Sequence, residues 1–132
     1  MKLVIDTNLF VAAFFNKKSS SYKILQASKE GRLDILWSRE IRGETDKIIK
    51  NVGSQKGFLD EFMKPENEVK NAPKINIIKD CPADNKFLAC AAAGRADYIL
   101  SNDHHLLDLK KFRGIPTLTP SGFLKRDRKL IM

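Results

Sequence analysis

The sequence predicts an α/β fold, a three-layer α/β/α arrangement with a central parallel sheet. Three observations lead there. Short apolar runs of strand length ("LVI", "LDILW", "INIIK", "DYIL") alternate with longer stretches of helical spacing. Such alternation lays the strands parallel and covers both faces of the sheet. Two of the runs are also followed at once by polar, acid-bearing segments at Asp6 and Asp103, on the edge where open α/β sheets bind ligands.

The elements follow in order. Residues 3–5 form a buried strand, and residues 9–15 a short helix capped by Asn8 or Thr7. "SSSYKILQASKEG" is a helix that starts at a serine cap and stops at Gly31. "LDILW" is a strand, and "SREIRGETDKIIKNVG" a helix capped by Ser38 and ending near Gly53. A lysine-rich stretch with Pro65 and Pro73 carries one more helix around residues 58–63 and then a loop. A strand at "INIIK", a helix at "ADNKFLACAAAG", a strand at "DYIL", a helical turn near Leu106 and a last strand near "PTLT" complete the pattern. The basic tail "FLKRDRKLIM" reads as a frayed or loosely docked terminus, with contact to RNA or to a second protomer as the alternatives.

At 132 residues the chain fits one domain, residues 1–132, with room for one sizeable core. The expectation is a cytoplasmic protein. No apolar stretch nears the roughly 20 residues of a membrane span, and Asp6 interrupts the short apolar run after Lys2 where a secretory signal would continue. Cys81 and Cys90 make no CxxC or Cys/His metal pattern and read as two reduced core thiols. The net charge of +8, from 24 Lys and Arg against 16 Asp and Glu, points to a polyanionic partner, with a merely solvated lysine face as the plainer reading.

Helical spacing adds two acids to Asp6 and Asp103. Glu44 lies three after Ile41 and four before Ile48, on the apolar stripe, whereas Asp46 falls on the wet face. Asp84 lies four before Leu88 and seven before Ala91, also inward. Each has an ordinary explanation: Asp84 as a first-turn acid favoured by the helix dipole, Glu44 as the partner of a lysine. Together, Asp6, Glu44, Asp84 and Asp103 make a carboxylate cluster that would hold protons unless a cation sat among them. All-oxygen ligation favours Mg²⁺ or Mn²⁺, one ion or a pair, over zinc. Such ions serve phosphodiester hydrolysis, and an acidic pocket within a basic exterior reads as a metal-dependent nuclease. His104 and His105 read as a polar turn rather than as a ligand or general base, and Trp37 as core.

"LVIDTNLFVAAFF", "SREIRGE" and "DCPADNKFLACAAAGRADYILSNDHHLL" resemble, in this order, the successive motifs of the PIN domain. Within that family the sequence resembles the VapC-like ribonuclease toxins of toxin–antitoxin modules. The resemblance implies the PIN-like α/β/α fold. It implies Asp6, Glu44, Asp84 and Asp103 as metal ligands and catalytic acids, with Glu40 as the alternative to Glu44. Thr7 or Asn8 would orient Asp6, and Ser101 stands where the family has a Thr or Ser. Asn102 replaces a frequent Gly and tolerates left-handed backbone. The resemblance further implies Mg²⁺ or Mn²⁺ as cofactor, RNA cleavage leaving a 5′-phosphate, a cognate antitoxin as partner, and homodimers or larger homo-oligomers. The other readings are a non-catalytic basic RNA-binding PIN-like module and an RNA-processing nuclease with no antitoxin. A haloacid-dehalogenase phosphatase is disfavoured because Asn8 stands where a second Asp is needed, and a receiver because "LDILWS" offers no phospho-acceptor.

Overall fold

In the computed structural model, which describes residues 1–53 and 57–127, the alternation is realised as a five-stranded, mostly parallel sheet with six helices. The elements are β1 (Lys2–Ile5), α1 (Thr7–Phe15), α2 (Ser20–Lys29), β2 (Asp34–Leu36), α3 (Arg39–Asn51), α4 (Asn85–Gly94), β3 (Tyr98–Leu100), α5 (His104–Leu107), β4 (Lys111–Phe112), β5 (Ile115–Leu118) and α6 (Pro120–Arg126). The strand order is β2-β1-β3-β5-β4. The first four strands run parallel, and β4 closes the edge antiparallel to β5. Val4 pairs with Leu36 on one side and Ile99 on the other. β1 is thus an interior strand, and Leu3, Val4 and Ile5 are almost wholly buried, as the unbroken apolar run of a two-face-covered parallel strand requires. The helix α4 packs across β1, β2 and β3, while α2 packs against both α1 and α6. Among the described residues no helix is long and apolar enough to cross a membrane.

Caps set the helix starts. Ser19 Oγ accepts from the N–H of Tyr22 at 3.1 Å, and Ser38 Oγ from that of Ile41 at 3.3 Å. The cap of α1 is neither Thr7 nor Asn8 but Asp6, whose carboxylate accepts from the Asn8 N–H. Thr7 is already inside the first turn, and its hydroxyl is engaged elsewhere.

The expected strand at "INIIK" does not form. The position beside β2 is taken by residues 67–69: Trp37 N–H donates to the Asn67 carbonyl, Val69 N–H to the Trp37 carbonyl, and Trp37 bridges Glu68. The backbone of Ile77 and Ile78 instead hangs on the side-chain amide of Asn85. Its Oδ1 accepts both N–H groups, at 3.1 and 2.9 Å, and its Nδ2 donates to the carbonyls of Ile78 and Pro82. Only Ile78 of the pair is buried. Losing this clamp orphans a buried N–H, so Asn85→Ala should cost about 1.5 kcal/mol. Urea unfolding should show a lower midpoint at unchanged slope; an unmoved midpoint would mean the segment is held by something else.

Three smaller departures remain. The helix expected over residues 58–63 is a short 3-10 turn, Phe58–Glu61. β4 and β5 form an unforeseen hairpin, joined by Arg113 and Gly114 with φ of 50° and 80°, the paired positive values of a tight turn matched to sheet twist. The tail is partly structured as α6, with Phe123 and Leu124 buried, and residues 128–132 lie outside the described residues.

Candidate active site

Three chain segments bring carboxylates to one end of the sheet. Asp6 follows β1 directly, and its N–H donates to the carbonyl of Leu100 at the end of β3. Ser101 follows β3 in turn, and its hydroxyl donates to Asp6 Oδ2 at 2.7 Å while accepting the Asp103 N–H at 2.8 Å. One fully buried hydroxyl therefore sets the spacing of two acids. Asp103 caps α5 by accepting the N–H of His105 at 2.9 Å. Both acids are helix caps, since each strand-to-helix junction demands an acceptor there.

Asp84 differs. It closes the 3-10 turn Pro82–Asp84 at the head of α4 and makes no capping bond. It is 8% exposed, and its buried Oδ2 has no hydrogen-bond partner. An acceptor left so in the dry interior is costly. The two caps have a structural reason to be acidic; Asp84 Oδ2 has none among the described residues.

The electrostatics agree. Burial raises the Asp6 carboxyl above its ordinary range against the pull of the Ser101 hydroxyl and the Asn8 N–H, and the negative charges of Asp84 and Asp103 add to the rise. Burial likewise raises Asp84, opposed by a hydrogen bond from the Cys81 thiol and reinforced by Asp103. A carboxyl raised by folding holds its proton in the native state where the unfolded chain has released it. Stability therefore falls as pH climbs from the ordinary carboxylate value, about 3.9, through the raised values, and the penalty is complete above them. Asp84→Asn should accordingly raise the Tm of the metal-free protein in EDTA at neutral pH by about 4 °C, the worth of roughly 1 kcal/mol. The gain should vanish below about pH 4. A lower Tm at both pH values would make Asp84 a structural anchor.

Glu44 is engaged by Thr7 and Lys86. Its Oε2 accepts from the Thr7 hydroxyl at 2.8 Å, and its Oε1 from Lys86 Nζ at 2.9 Å. The lysine partner allowed for in the sequence is Lys86, on α4. Thr7 thus orients Glu44 and meets the Thr45 hydroxyl at 3.0 Å, rather than orienting Asp6. Asn8 touches Asp6 only through its backbone N–H. Asn102 is exposed, and its backbone stays out of the left-handed region. Glu40, Asp80 and Asp108 are exposed.

A family model of the PIN domain matches residues 2–105. The chain belongs to the PIN domain family. No curated protein and no solved structure matches it. The matched span runs from β1 to the start of α5 and includes all four acids of the PIN domain reading. PIN domains are generally nucleases and typically use a divalent metal. Donors for such an ion are present: the unpartnered Asp84 Oδ2 and the raised Asp6 and Asp84 carboxyls are what a cation would relieve, and among the described residues the groups whose donor atoms all lie within 4.8 Å of one another are Cys81, Asp84 and His105, and Asp103, His104 and His105, with Asp6 in neither.

Three residues near the PIN domain acids were not assigned to the site from sequence: Cys81, Lys86 and His105. Cys81 and Asp84 are three apart around Pro82, and His105 is two after Asp103, so local spacing carried a faint signal for both. Lys86 meets Glu44 across 42 positions, and no local pattern shows that.

Proposed function

We propose that this PIN domain is a metal-dependent endoribonuclease with Mg²⁺ or Mn²⁺ as cofactor, acting as the toxin of a toxin–antitoxin module. The observation that carries the catalytic part is the convergence of Asp6, Asp84 and Asp103, with one buried carboxylate oxygen unpartnered. In this reading the three aspartates hold the ion, and Glu44 is the fourth acid. When bound, the ion neutralises charge on the scissile phosphate and activates water. The chain's own groups do the rest. Ser101 fixes Asp6 relative to Asp103, and Thr7 and Lys86 hold Glu44 against α1 and α4. Water attacks phosphorus, the bond from phosphorus to the 3′ oxygen breaks, and the products carry a 5′-phosphate and a 3′-hydroxyl.

The basic balance of +8 supports RNA as the polyanion. The toxin role, a cognate antitoxin, homodimers or larger assemblies and a cytoplasmic location rest on the resemblance to VapC-like chains.

The test is cleavage of a mixed RNA panel and matched single-stranded DNA in Mg²⁺, in Mn²⁺ and in EDTA. Metal-dependent cutting of RNA with 5′-phosphate ends is expected. Binding without cutting in any metal would leave a non-catalytic RNA-binding module, and cutting undiminished by EDTA would exclude the metal mechanism.

A further inference from the structure

Beside the aspartates lies a second donor set of different chemistry. Cys81 Sγ, a carboxylate oxygen of Asp84 and a ring nitrogen of His105 all lie within 4.8 Å of one another. They come from the loop ahead of the Pro82–Asp84 turn, from the turn itself and from α5. Two of the donor atoms are buried and unpartnered, Asp84 Oδ2 and His105 Nδ1. The imidazole nitrogen stands 3.8 Å from Asp84 Oδ2 and 3.1 Å from Asp103 Oδ1, without hydrogen-bond geometry to either. The Cys81 thiol lies beside the Asp84 carboxylate. Asp84, 8% exposed, thus has sulfur and nitrogen donors within reach of its carboxylate as well as the neighbouring Asp103 charge.

We propose that Cys81, Asp84 and His105 form a binding site for a borderline-soft divalent ion of the zinc class, distinct from the hard-metal pocket but sharing Asp84 with it. One thiolate, one imidazole and one carboxylate are a three-ligand set that leaves a fourth position open, and sulfur selects against Mg²⁺. Binding releases the Cys81 proton to solvent, and His105 ligates as the neutral imidazole through Nδ1. Cys90 takes no part: it is fully buried in the core, and burial pushes its thiol up to about 12. An ion in this site withdraws Asp84 from the aspartate pocket, so zinc should inhibit; that consequence alone rests on the nuclease reading.

Titration of the reduced full-length protein with Co²⁺, a coloured stand-in for zinc, tests the site without reference to activity. The expected result is a thiolate-to-cobalt charge-transfer absorption in the near ultraviolet, bleached by Zn²⁺. It should persist in Cys90→Ala, disappear in Cys81→Ser, and need about tenfold more Co²⁺ in His105→Gln, with far-ultraviolet circular dichroism confirming that each variant is folded. No such band in the wild type, or a band that survives in Cys81→Ser, would overturn the proposal. The band in a protein that cuts no RNA would uphold the site and remove only its inhibitory role.

Discussion

Asp6→Asn should lower RNA cleavage by at least about a hundredfold while leaving the fold and RNA affinity nearly unchanged. The amide keeps the shape of the carboxylate and can still accept from the Ser101 hydroxyl. Asn caps helices as well as Asp does, so α1 still begins at Thr7. What is lost is one negative charge at the ion's seat, and with it the position of the ion against the scissile phosphate. Single-turnover cleavage in Mg²⁺ or Mn²⁺ measures the rate, and anisotropy of a labelled RNA measures the affinity. A rate within about threefold of wild type, far short of the loss expected for a metal-positioning group, would remove the aspartate cluster from the reaction. Loss of binding together with rate would instead make Asp6 a structural residue.

The second large effect concerns salt. With an excess of eight positive charges, a contact that neutralises about four phosphates of a single strand gives a log–log slope near −3. Raising salt from about 50 to about 200 mM should then weaken binding about fiftyfold. Part of this charge is placed to matter. Arg39, Lys70, Lys74 and Lys86 line an open cleft of about 870 Å³ between the start of α3, residues 68–76 and α4, and the cleft shares Pro82 and Ala83 with the turn that carries Asp84. Lys86 is already paired with Glu44, and Arg39 lies 3.4 Å from Glu68, so Lys70 and Lys74 are the better candidates for phosphate. Anisotropy with the non-cutting Asp6→Asn protein across that salt range gives the slope. A flat response would mean that RNA, if held at all, is not held through its backbone.

What the sequence disclosed was local. The β1–Asp6–α1 and β3–Ser101–Asp103 junctions each lie within a few consecutive residues, and the i+4 and i+7 spacing of Leu88 and Ala91 was enough to turn Asp84 inward. What it concealed was competition between distant segments. "INIIK" has a strand's composition, but the edge it would occupy is filled by residues 67–69, and the Asn85 amide offers its backbone another partner. The two-residue β4 is too short to leave a pattern, and Arg-Gly is an unusual pair for so tight a turn. The approach of Cys81 to His105 depends on how the α4 turn and α5 meet at the end of the sheet, which no local periodicity encodes.

In the proposed nuclease, Asp6, Asp84 and Asp103, carried to one edge by β1, the turn before α4 and the segment after β3, form a single seat for a hard divalent cation. Mn²⁺ binding followed by electron paramagnetic resonance tests it most directly, in wild type and in the Asp6→Asn, Asp84→Asn and Asp103→Asn variants. Mn²⁺ should bind the wild type, be displaced by excess Mg²⁺, and bind at least about tenfold more weakly to each single variant. Undiminished Mn²⁺ binding in all three variants, or none in the wild type at millimolar ion, would contradict it.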